Sequence, residues 1–330
     1  MNRRNGEDTL MDDRRFFSKI GMSYFVMALL TTGIQIVVSL ILAVAAPEWT
    51  DLAIVNWLVS LIPLYLIAIP VCFKMLRSLP AMQLYQSKLK PGRWFRILCI
   101  SIFIMYVGNI IGNIVCALIT RATGLDLTLG LDSLMTGGSV WYNLLFTVIL
   151  APIMEELIFR KALVDRAIVY GDKATVLLSG LMFGLFHGNF HQFFYAFGLG
   201  CVLAYVYIRT GKLRYSIALH MSVNFLGGFL SSWLLQKIDY ASWLSQNPYD
   251  SIDLVFNHMG SLLALILLEI GMIGLAIAGL VFFIMSVKKL EWRSGEYEKP
   301  TGKMASVMFG NPGMLLFFAI CVGLFIMSML

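Results

Sequence analysis

The sequence predicts an all-α polytopic membrane protein of about eight or nine transmembrane helices, and three observations predict it. Of its 330 residues, 59% are hydrophobic and 13% are Asp, Glu, Lys or Arg, where soluble proteins carry about a quarter charged. The apolar residues gather into runs long enough, at ~1.5 Å per helical residue, to cross a hydrocarbon core of about 30 Å. The basic residues collect in alternate connecting segments, as they do when one membrane face is cytoplasmic. A water-soluble globule is excluded. The net charge of +6 follows from basic loops on one face, so no nucleic-acid partner is expected; the partner is the lipid bilayer.

The candidate spans are 20–46, 52–73, 97–120, 140–159, 174–188, 192–208, 215–235, 260–286 and 314–330. The polar first 19 residues carry five Lys and Arg and read as a positive flank that keeps the N-terminus in the cytoplasm. The apolar run after them exceeds the roughly 7–15 residues of a signal-peptide core. The second span ends before a segment with six basic residues, the fourth before four, the sixth before three and the eighth before five. Thus 23 of the 25 Lys and Arg lie inside, and only Arg121 and Lys237 lie outside, with Asp51, Asp126, Asp132, Asp239, Asp250 and Asp253. Spans five and six are short and joined by Gly188-Asn189-Phe190-His191, a tight, partly polar hairpin. The last run, after Asn311-Pro312-Gly313, is short enough to suit the interface as well. Nine crossings place the chain in the plasma membrane with its C-terminus outside. The polar stretches 236–258 and 287–312 read as loops. Cys72, Cys99, Cys116, Cys201 and Cys321 fall inside apolar runs with no paired spacing and read as small buried hydrophobes.

Three acids remain inside spans: Glu155, Glu156 and Glu269. A carboxylate at a span's centre costs about 2.5–3.5 kcal/mol on insertion scales, so such residues face a protein interior or water and mark function. Glu156 and Arg160 are four apart and share a helix face, which lets the arginine neutralise that carboxylate. Glu155 points ~100° away and is left for a partner on another helix, or for water, as a general base requires. Pro152 removes a backbone hydrogen bond and lets the helix bend just before the pair. Glu269 has no charged neighbour one turn away.

Two of the four histidines also lie inside spans. His187 follows Phe183 by one turn in the fifth, and His220 precedes Asn224 by one turn in the seventh, so each pair projects from one face. Residues 155 and 187 are equidistant from residue 171 and stand at one height in a simple hairpin, whereas the same count sets His220 nearer the cytoplasmic side. Gly180, Gly184 and Gly188, like Gly108 and Gly112 beside Asn109 and Asn113, form small-residue stripes suited to helix packing. His191 and His258, at the outer boundary, are expected to be solvated.

Glu155-Glu156-x-x-x-Arg160, Phe183-x-x-x-His187 and His220-x-x-x-Asn224, in this order and inside the membrane, resemble the CPBP family: CAAX proteases and bacteriocin-processing or immunity proteins of the type II prenyl-protein endopeptidase class. The resemblance covers a core at 138–230, with spans one to three in 1–137 and the remaining spans in 231–330. It implies an intramembrane endopeptidase with a polar cavity open to the cytoplasm and the active site among spans four, five and seven. Glu155 would be the base, His187 its partner on the attacking water, and His220 with Asn224 the oxyanion donors; Glu156, Arg160 and Phe183 would support them. The substrate would be a short peptide or a membrane-associated protein, with prenylated C-terminal motifs, pheromones and bacteriocin precursors as candidates. A catalytically silent immunity or scaffold member is the alternative reading, but it would be expected to lack a motif residue, and all are present. Glu155, His187 and His220 could also bind zinc, but H-E-x-x-H is absent and a site that commits Glu156 to Arg160 leaves Glu155 as both ligand and base. A metal-free mechanism is therefore expected. The oligomeric state is not specified by the sequence.

Overall fold

The computed structural model describes residues 6–125, 127, 139–238 and 258–329. Arg3, Arg4, Asp126, Asp132, Asp239, Asp250 and Asp253, used above for orientation, lie outside the described residues, as does most of the stretch 236–258. Every regular element among the described residues is helical. In chain order they are α1 (Gly6–Ala45), α2 (Ala53–Leu76), α3 (Pro91–Thr123), α4 (Val140–Tyr170), α5 (Asp172–Phe186), α6 (Phe190–Thr210), α7 (Leu213–Ile238), α8 (Met259–Val287), α9 (Thr301–Phe309) and α10 (Pro312–Met327).

Seven of these helices are long and apolar enough to cross a membrane: α1 from Asp13 onward, α2, α3, α4, α6, α7 and α8. The pair α9 and α10, bent by 71°, brings the number to eight if the two helices together form one broken span. The chain is an all-α multi-pass membrane protein. Two expectations are corrected. The fifth predicted span is only 15 residues of helix, about 22 Å long, which is too short to cross alone. Its hairpin with α6 turns at Gly188, where a φ of +67° suits glycine, and the tip packs against α3 at Gly112, 11 residues before α3 ends. The stretch 287–312 is also not all loop, because it contains α9.

Two large apolar clusters build the bundle, with a smaller one of Val164, Val176, Ala204, Tyr207 and Ile208 beside them. One joins α1, α2, α4, α5, α9 and α10 around Phe17, Tyr24, Phe159, Phe183 and Phe317. The other joins α3, α6, α7 and α8 around Ile102, Leu203 and Leu219. The glycine stripes serve packing: a Cβ on Gly108 would sit 2.3 Å from Tyr195 of α6, and one on Gly180 would sit 2.4 Å from the Cys201 sulfur. The last helix packs along α1, with Gly313 against the Ser18 carbonyl and Met314, Phe317 and Cys321 fully buried. Its far end meets the α5–α6 tip through Leu324 at Gly188 and Phe325 at Phe190. The five cysteines are unpaired, four of them buried and Cys201 half-buried.

The basic end is tied together by backbone and ionic contacts. Residues 77–90 form an extended segment across α4 and α6, with Met82 N–H on the Asp165 carbonyl (2.6 Å) and Ser87 N–H on the Thr210 carbonyl (2.9 Å). The α6–α7 corner turns at Gly211 (φ +60°), where a side chain would also strike the Tyr85 carbonyl. The stretch before α9 is fixed by Asp172 to the Arg293 backbone (3.1 Å) and by Lys299 to Asp13 (2.6 Å), whose other oxygen accepts from Tyr170 (2.9 Å).

Candidate active site

Helix α4 carries the two glutamates between two π-helical segments, Leu144–Leu150 and Leu157–Ala162. The wider turn re-aims side chains and is frequent at functional sites. Pro152, which cannot donate, lies just after the first of them. The carbonyls of Ile158 and Phe159, inside the second, also accept side-chain donors from neighbouring helices: Tyr24 of α1 at 2.6 Å and Ser179 of α5 at 2.8 Å. Sequence reasoning missed both residues. Ser179 sits on the face opposite α4, but Tyr24 is one aromatic in an apolar run and carries no signal of its partner.

Glu156 and Arg160 are both fully buried and their ion pair closes at 3.2 Å, as the spacing predicted. The guanidinium lies over the Phe183 ring, 4.5 Å from its centroid. Its Nη1 and Nη2 have no hydrogen-bond partner among the described residues. Glu155 differs from its neighbour in keeping 27% of its side chain exposed. The charge-bearing pair is thus divided into a buried, neutralised carboxylate and an accessible one.

The height expected for His220 is corrected: its ring bridges both glutamates. Nδ1 is 3.2 Å from Glu156 Oε1 and Nε2 is 3.6 Å from Glu155 Oε2. Packing of α7 on α4 brings it there, which counting residues between loops could not foresee. Ser216, four residues before His220 on the same face, adds a polar contact to Glu156; that spacing was legible in the sequence. His187 Nδ1 is 2.8 Å from the Phe183 carbonyl. A carbonyl only accepts, so Nδ1 carries the proton and Nε2 of the neutral ring has its lone pair free. The Phe183 ring stands edge to face against both His187 (4.9 Å) and His220 (5.6 Å), which holds the two imidazoles and Arg160 around one aromatic side chain. Asn224 donates one amide proton to the Thr147 carbonyl at 2.9 Å, across to the first π segment, and keeps a second. The seven motif residues are accordingly brought to one region by α4, by α5 with its C-cap His187, and by α7. Tyr65 and Tyr195, not anticipated, lie within the electrostatic reach of Glu155.

Two other polar residues differ from expectation. His191 is bonded, with its ring nitrogens 3.2 Å from Asn113 Oδ1 and 3.0 Å from the Leu127 carbonyl. Glu269 has a partner, since Tyr106 of α3 donates to it at 3.2 Å. A zinc site would need Glu155, His187 and His220 on one ion. Among the described residues no three His, Cys, Asp or Glu side chains converge in a way that could hold a metal, so this donor set does not fit one.

The model of the family described as type II CAAX prenyl endopeptidase Rce1-like matches residues 137–226. That interval holds Glu155, Glu156, Arg160, Phe183, His187, His220 and Asn224, and it agrees with the resemblance drawn from those residues. No curated protein and no solved structure matches the chain.

Proposed function

We propose, from the Rce1-like segment as premise, that the protein is an intramembrane endopeptidase that hydrolyses a peptide bond by glutamate-activated water, without a metal. The observation that carries this reading is the division of the glutamate pair, with Glu156 sealed against Arg160 and His220 while Glu155 stays accessible beside His220. Glu155 and the free Nε2 of His187 are both acceptors and hold the attacking water. Glu155 takes its proton as the oxygen attacks the scissile carbonyl. Because His220 Nδ1 faces a carboxylate it is an N–H, so Nε2 donates to the oxyanion only when the ring is imidazolium. In that state two carboxylates, one guanidinium and one imidazolium sum to zero charge, which suits a low-dielectric site. The second amide proton of Asn224 completes the donor pair. The proton on Glu155 then passes to the leaving nitrogen as the C–N bond breaks, and the products are a carboxylic acid and an amine, which ionise to carboxylate and ammonium.

A base of this kind contributes about 10²–10⁴-fold, and an oxyanion donor about 10²–10³-fold. The protein acts in the plasma membrane with its basic face cytoplasmic, on a short peptide or the tail of a membrane-associated protein. Glu155→Gln keeps the shape and removes the base. In a comparison of membrane peptidomes from cells expressing wild type and this variant, a set of cleavage products disappears from the variant. Full biological activity in Glu155→Gln would show that proteolysis is not the function.

A further inference from the structure

Outside the catalytic cluster, a cavity of about 560 Å³ opens between α4, the α6–α7 corner and the extended segment 77–90, lined among others by Gln86, Leu157, Lys161, Tyr207, Lys212 and Arg214. Its lining holds three cations and no acid. Asp165 behind the wall pairs with Lys161 at 2.6 Å and accepts from Tyr207 at 2.8 Å, which neutralises one cation. Among the described residues, no carboxylate is in ion-pair distance of Lys212 or Arg214. Arg214 instead rests on Tyr215, with its Nη2 3.2 Å from the phenol oxygen.

These two cations also stand where the backbone is positive. Lys212 is the residue before α7, and the first turn of α7 has no side-chain cap and no acid. A helix N-terminus carries about half a positive charge, which favours anions and disfavours cations. Three sources of positive potential therefore converge on one cavity, and among the described residues no carboxylate pairs with either cation. The cavity lies at the α6–α7 corner on the basic end of the bundle, and basic pockets between helices at the headgroup level bind anionic headgroups.

We propose that this cavity is a binding site for the phosphate of an anionic phospholipid from the leaflet at the basic end. Lys212 and Arg214 pair with the phosphate oxygens, and the first backbone N–H groups of α7 donate to them. Its occupancy reaches the catalytic cluster through short paths. Leu157 and Lys161 belong to the π segment that directly follows Glu156, and α7, which begins at the cavity, carries Ser216 and His220. A bound lipid braces α4 against α7 where the two helices bring carboxylates and imidazole together. The binding itself is independent of the peptidase reading; only its effect on rate rests on that reading.

The test uses the full chain, purified in detergent and examined by native mass spectrometry after exchange with phosphatidylcholine, phosphatidylglycerol or inorganic phosphate. Wild type is compared with the double variant Lys212→Gln/Arg214→Gln and with Lys288→Gln/Lys289→Gln, which removes equal charge from the same face away from the cavity. Retention of phosphatidylglycerol over phosphatidylcholine, weakened at least tenfold by the first pair and unchanged by the second, is the expected result. Equal weakening by both pairs would reduce the site to general surface attraction and overturn the proposal. So would displacement of the lipid by inorganic phosphate at equal concentration, or by a peptide carboxylate, since either would make the lipid the wrong occupant. In vesicles, phosphatidylglycerol should raise the hydrolysis rate of wild type and leave the Lys212→Gln/Arg214→Gln rate unmoved. Lipid retention that depends on the two cations, in a protein with no peptidase activity in any vesicle, would uphold this site and reject the proposed function.

Discussion

Replacing Arg160 by leucine is expected to destabilise the bundle by about 3–5 kcal/mol, because the carboxylate left behind is buried and loses its counter-charge. The side chains of Glu156 and Arg160 both have 0% exposure and meet at 3.2 Å, so water cannot replace the lost partner. His220 and Ser216 remain beside Glu156 and keep the loss toward the lower end. Departure of the guanidinium from the Phe183 ring removes a desolvated cation–π contact of about 2 kcal/mol and moves it toward the upper end. The unfolding equilibrium should shift by roughly 10²–10⁴-fold. Since Nη1 and Nη2 have no hydrogen-bond partner among the described residues, the pair is far from fully satisfied. Removing both charges in Glu156→Gln/Arg160→Leu should therefore recover most of the stability, to within about 1–2 kcal/mol of wild type. Activity should not return, because the carboxylate that holds His220 Nδ1 is gone. Unfolding in mixed detergent and dodecyl sulfate micelles, followed by the fluorescence of the seven tryptophans, measures both. An Arg160→Leu protein that unfolds with wild type, or a double variant no more stable than the single, would refute the reasoning.

Three further outcomes are expected. Tyr24→Phe removes the side-chain hydrogen bond to the buried Ile158 carbonyl, now at 2.6 Å, and should cost about 0.5–1.5 kcal/mol in the same unfolding assay. Gly108→Ala places a methyl 2.3 Å from Tyr195 Cα and should cost about 1–3 kcal/mol by forcing α3 from α6, while Gly33→Ala, with nothing within 4 Å, should be neutral. Exhaustive chelation should leave peptidase activity unchanged; stoichiometric zinc in the purified protein, with activity lost on its removal and regained on its return, would overturn the metal-free mechanism.

Much of this protein was determined by sequence alone, because in a bilayer the solvent imposes length and charge rules that leave few choices. Apolar runs had to become helices, and eight of the nine runs mark helices of seven long spans and one bent pair. Glu156 and Arg160 met as their spacing required, since both lie on one helix and need no tertiary information. The glycine stripes likewise became close helix crossings. What depended on packing between helices was not legible. No local pattern sets the depth of α5, whose 15 residues stop short because α6 turns back at Gly188. None announces that Tyr24 will cap a carbonyl in a π segment of α4, or that Tyr106 will satisfy Glu269 from another helix. Above all, counting residues from the loops set His220 nearer the cytoplasmic side, and only the packing of α7 against α4 brings its imidazole between Glu155 and Glu156. Sequence fixes which groups a helix face carries, but contact between faces depends on crossing angle and register, which arise from the packing of the whole bundle.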